Sequence, residues 1–83
     1  MKLTKEQKQE VVDHNIQQAK ELINQAERVN KGMYVHDINE CMQHIKNLLK
    51  KKKPKTTKGK NFIELCKYKQ ALASLLYFTE KKI

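Results

Sequence analysis

Between Lys50 and Lys60 the chain reads K-K-K-K-P-K-T-T-K-G-K, which places seven of its 18 basic side chains in eleven residues with no acid among them. The formal net charge is +9, and removing those seven charges leaves +2, so the basic character belongs to one short stretch. A concentrated basic stretch creates a local field that attracts phosphate or an acidic protein surface. The candidate contacts are Lys50, Lys51, Lys52, Lys53, Lys55, Lys58 and Lys60, helped by backbone N–H groups near Asn61 where a third helix is expected to begin. Contacts of this kind position a polyanion without reading its sequence. Base reading leans on Arg, or on Asn and Gln, and the single arginine, Arg28, stands far along the chain. Two plainer readings stand beside this one. One or two lysines at the end of a helix are explained by its partial negative charge, and a lysine run can simply be a solvated loop.

Other chemistries are weaker. Cys41 and His44, at i and i+3, could in principle join His14, His36 or Cys66 around zinc, but no C-x-x-C pair is present and the ligands would come from unrelated segments. No metal or cofactor is expected. The string T-T-K-G-K-N lacks the first glycine and the final Ser or Thr of a phosphate loop. Cys41, Cys66, Ser74 and the three histidines form no nucleophile–base pairing that spacing defends, so no enzymatic activity is expected. A helix-turn-helix would present Asp37 and Glu40 to DNA, where both acids repel the backbone. Single-strand binding wants aromatics among the lysines; the run has none, and Phe62 and Tyr68, on the segment that follows, read as core.

The elements that carry these residues are helices. Thr4 with Gln7, Asp37 with Glu40, and Asn61 with Glu64 each have the spacing of a capping box. After Thr4, the apolar positions Val12, Ile16, Ala19, Ile23 and Ala26 step by four and three, widened by Val11, Leu22 and Val29; a helix is predicted over 5–30, with Gly32 beyond its end. Ile38, Met42, Ile45 and Leu49 repeat the pattern and Pro54 stops it, which predicts a helix over 38–52. The third, over 62–80, carries Leu65, Cys66, Leu72, Leu75, Leu76 and Phe78 and is apolar around more than half its circumference, as a central helix would be. The apolar seam Ile16, Ala19, Ile23, Ala26 and Val29 is a second candidate interface, because a long first helix would overhang shorter partners and leave apolar positions for a target helix or a second copy.

Eighty-three residues allow one domain, 1–83, with a thin core, since a chain of this size buries only about 60–65% of its unfolded surface. Oligomerisation, such as a homodimer, or a bound partner would help it. The charged N-terminus M-K-L-T-K-E-Q-K-Q-E is unlike a secretion signal, and Ala71–Phe78 is far short of a membrane span, so a cytoplasmic location without membrane contact is expected. The two cysteines are too few for a secreted disulfide framework. Lysine outnumbers arginine 17 to one, a texture of AT-rich coding sequence that discounts the lysine argument.

The sequence therefore implies a small all-α protein of three helices with a flexible Lys-rich loop between the second and third. Two functions fit. One is a non-enzymatic module docking on nucleic-acid phosphates, DNA or RNA, through Lys50–Lys60 without base specificity. The other is a protein-interaction module, an inhibitor or adaptor, using the seam of helix one or placing the basic loop on an acidic partner surface. Accessory proteins of phages and other mobile elements often have that compositional character.

Overall fold

The computed structural model describes residues 2–29 and 34–81, and three helices account for most of them: α1 (Lys5–Val29), α2 (Val35–Lys51) and α3 (Lys60–Lys81). No strand occurs among the described residues.

Helix α1 begins as its sequence predicts. The Gln7 backbone N–H donates to Thr4 Oγ1 at 3.1 Å, and the Thr4 N–H donates to Gln7 Oε1 at 2.9 Å, so each residue satisfies an N–H the helix leaves open. Glu6 in the first turn and Arg28 in the last oppose the partial charges of the helix ends. Gly32, the expected terminator, lies outside the described residues.

The other two starts differ from expectation. Helix α2 begins at Val35, three residues before the predicted Ile38, because Tyr34 adopts a left-handed backbone (φ 67°, ψ 18°) and its carbonyl accepts the Ile38 N–H at 2.8 Å. Asp37 is then already inside the first turn, where its carboxylate meets the positive helix end without capping. Helix α3 begins at Lys60, and the Gly59 carbonyl accepts the Ile63 N–H at 3.1 Å. Asn61 is thus a helical residue. The entry is set by the turn before it, where the Gly59 N–H donates to the Thr56 carbonyl at 3.3 Å. A Cβ on Gly59 would stand 3.0 Å from Thr56 Oγ1, a tight contact from which the Thr56 side chain would have to turn away.

The chain runs up, down and up. Asn15 and Gln18 of α1 meet Lys69 of α3, Glu27 meets Lys46 of α2, and His44 of α2 meets Tyr68 of α3. Helix α3 packs extensively against both others, whereas α1 and α2 touch each other little, so α3 is the central helix. The core joins Ala19, Ile23 and Ala26 of α1 to Ile38, Met42 and Ile45 of α2 and Leu65, Leu72 and Leu76 of α3. Burying one such leucine or isoleucine stabilises the fold by about 1.5–3 kcal/mol. The radius of gyration is 13.7 Å with extents of 43 × 27 × 16 Å. A compact domain of this length would have a radius near 12 Å. The molecule is elongated because its helices are long and its core is one side-chain layer between them.

The expected overhang of α1 is short, since α3 has 22 residues to its 25. Its seam is covered: Ala19 and Ala26 are fully buried, Ile23 nearly so, and Ile16 is half-buried against the same core. The side chain of Val29 lies outside the described residues. The apolar surplus is instead on α3, where Ile63, Tyr77 and Phe78 are all more than half exposed. Phe78, one of the apolar residues of α3, is exposed, with its ring in edge contact with Tyr77 at 5.7 Å. Its neighbour Thr79 is buried, its hydroxyl donating to the Leu75 carbonyl at 2.8 Å. No helix among the described residues is long and apolar enough to cross a membrane.

Candidate nucleic-acid interface

The basic run divides between two structures. Lys50 and Lys51 close α2, and Lys60 opens α3, while the others lie on the eight-residue connection between them. All seven side chains are exposed. Pro54, in their midst, is buried, and it borders a hollow of about 750 Å³ with Ile16 of α1 and Leu49 of α2. Proline is rigid and has no N–H to satisfy, so it fits this anchoring role: one apolar residue seats the connection on the bundle while its charged neighbours stay in water.

Anchoring gathers the lysines. Lys51, Lys52, Lys53, Lys55 and Lys60 border one concavity of about 450 Å³, together with Thr56, Gly59, Asn61 and Phe62. Its floor is the start of α3, whose first turn contains no acid. The first backbone N–H groups of a helix have no intrahelical partner and carry its partial positive charge. The concavity therefore sets lysine ammonium groups beside the positive end of α3, a setting for a phosphate oxygen. Lys50 stands on the α1 side, bordering the Pro54 hollow, and Lys58 borders neither hollow. The run is not one uniform patch.

A third hollow, of about 360 Å³, adjoins the lysine concavity and shares Lys51 and Lys52 with it. It is also lined by His44, Asn47, Leu48, Glu64 and Tyr68. The His44 and Tyr68 rings stack at 4.4 Å between centroids with 7° between their planes. Such a pair contributes about 0.5–1.5 kcal/mol beyond burial and ties α2 to α3.

The residues weighed for zinc are dispersed. His44 is engaged with Tyr68, His36 and His44 stand 3.9 Å from opposite oxygens of Glu40, and His14 is exposed on α1. Cys41 sits half-buried at the core edge, where burial first, then Glu40 and Asp37, push its thiol pKa up. Cys66 points its thiol at Asn15 Oδ1, 3.9 Å away, an oxygen that also accepts from Lys69. Lys69 donates to Gln18 Oε1 at 2.7 Å as well, which makes this cluster a polar tie between α1 and α3. Among the described residues no three His, Cys, Asp or Glu come close enough to hold a metal ion.

No protein-family model, curated protein or solved structure matches this chain. Function must be read from the residues themselves.

The aromatic lining of these hollows has no signal within any one segment of the chain. Phe62 and Tyr68 were expected in the core; both are half-buried, Phe62 bordering the lysine concavity and Tyr68 the hollow beside it. One signal in the sequence could have found this. An eight-residue connection makes α2 and α3 antiparallel neighbours, so the last turn of α2 must lie beside the first turns of α3.

Proposed function

We propose that this chain is a non-enzymatic, cytoplasmic binding module that docks on nucleic-acid phosphates through the Lys50–Lys60 segment without base-sequence specificity. The observation that carries this reading is the acid-free concavity at the start of α3, bordered by Lys51, Lys52, Lys53, Lys55 and Lys60. Exposed lysines repel one another, and their closeness is relieved when a polyanion supplies counter-charge. Released counterions then make binding strongly salt-dependent. Base specificity is not expected, because lysine is a point charge that meets any phosphate equally. The free thiols of Cys41 and Cys66 suit a reducing compartment.

The reading as a protein-interaction module loses one of its surfaces, since Ala19, Ile23 and Ala26 are enclosed by the chain's own helices. What remains of it is the basic segment on an acidic protein surface.

The test is binding to labelled duplex and single-stranded oligonucleotides at two salt concentrations, with a variant carrying Gln at all seven lysines. If five lysines each neutralise one phosphate, duplex affinity falls about 500-fold between about 50 and 200 mM salt. The variant should lose most of the binding. Salt-independent binding, or an unaffected variant, would refute the proposal.

A further inference from the structure

Tertiary packing puts aromatic rings where the sequence has none, beside the lysines. The hollow lined by His44 and Tyr68 shares Lys51 and Lys52 with the lysine concavity, so an extended polyanion crossing one enters the other. We propose that the ligand is a single-stranded nucleic acid whose phosphates lie in the lysine concavity while one unpaired base extends the His44–Tyr68 stack. This rests on the phosphate-binding reading above and adds the class of nucleic acid.

Three features support it. First, the two rings are nearly parallel at 4.4 Å and 7°, and His44, with one face on Tyr68, still has 44% of its side chain exposed. A flat, partly open ring at the end of a stack accepts another flat ring, and every base has a π-face, so such contacts tolerate any sequence.

Second, the polar groups in the two hollows differ in kind. Glu64 and Asn47 line the stacking hollow, whereas no carboxylate borders the lysine concavity. A carboxylate repels phosphate but accepts a hydrogen bond from a base N–H, and the Asn47 amide, whose Oδ1 accepts from Gln43 Nε2, keeps N–H donors to offer. The chemistry assigns phosphate to one hollow and base to the next. Third, Phe62 lines the lysine concavity itself, so each of the two hollows holds both lysines and an aromatic residue, the two kinds of group that single-strand grooves combine. A duplex keeps its internal bases paired and stacked, so along its length it has no free face to offer His44.

The deciding experiment compares three probes with the same number of phosphates: a short oligothymidylate, an abasic strand, and a duplex. The wild-type chain is measured against His44→Gln and Tyr68→Leu, with circular dichroism to establish folding. His44→Gln changes a half-exposed side chain, so it reports even if Tyr68→Leu fails to fold. Stacking predicts that oligothymidylate binds roughly 5- to 150-fold more tightly than the abasic strand. His44→Gln should bring it down toward the abasic level while abasic binding holds. Equal affinity for the oligothymidylate and abasic strands, or preference for the duplex, overturns the inference and leaves phosphate binding standing. Absence of salt-sensitive binding to all three probes overturns both.

Discussion

The lysine segment and the apolar seam of α1 are the two surfaces on which the sequence could place a partner, and folding treats them in opposite ways. The seam is consumed: Ala19 and Ala26 have no exposed surface left, and Ile23 keeps 8%. The lysines all stay in water. Apolar surface is interchangeable, so a stripe that could receive a partner helix serves equally well against α2 and α3, and an intramolecular partner is always at hand. Charge is not interchangeable. Only nine acids are available in the chain, and burying a lysine without a partner costs more than this fold can supply. A charged run is therefore the feature more apt to survive folding as a surface.

The largest effect expected from this contrast is on the seam. Ile23→Asp or Ala26→Asp places a carboxylate among core residues and should abolish the helical signal in far-ultraviolet circular dichroism, since total stability for 83 residues is only about 4–12 kcal/mol. A folded monomer with either substitution would show that the seam is open after all. Leu72→Ala, at the fully buried centre of α3, should cost about 2–5 kcal/mol in urea unfolding.

At the other surface, replacing all seven lysines with Gln should leave the dichroism spectrum unchanged while lowering low-salt oligonucleotide affinity by about two orders of magnitude or more. A variant that unfolds would mean that the lysines also hold the structure together. Smaller effects sharpen the picture at the helix ends. Thr4→Ala removes a working cap and should cost about 1 kcal/mol. Tyr34→Gly, at a left-handed position that a side chain strains, should gain or lose less than about 1 kcal/mol, because backbone relief and added unfolded-state entropy oppose each other.

The smallest expected difference is kinetic. Burial holds the Cys41 thiol above its usual 9.0, so the thiolate fraction at neutral pH is below that of a free cysteine, and labelling with a thiol reagent should be correspondingly slow. The sign for stability follows: the neutral thiol favours the folded state, so its contribution is complete below pH 9.0 and is lost as pH rises through the higher folded value. Labelling of Cys41 as fast as a free thiol would place it outside the core edge.

Much of the fold was legible because its signals are local. Three helices with one capped start, the stop near Pro54 and the central place of α3 follow from spacing along a few turns. The starts of α2 and α3 differ from the sequence expectation for a physical reason. A capping box records only which side chains could bond, whereas the left-handed Tyr34 and the Thr56–Gly59 turn decide where the helical backbone begins. Phe78 is exposed because α3 is apolar on more sides than two neighbours can cover, so some of its surface must stay outside.

By itself the sequence determined the helices and the concentration of positive charge, because helical periodicity and charge content need no distant partner. Only tertiary structure decided that Ala19, Ile23 and Ala26 of the α1 seam lie inside, that Pro54 anchors the basic connection, and that His44 and Tyr68, 24 positions apart, stack beside the lysines. Those outcomes depend on which faces of three helices meet, and that is fixed by packing of the whole chain.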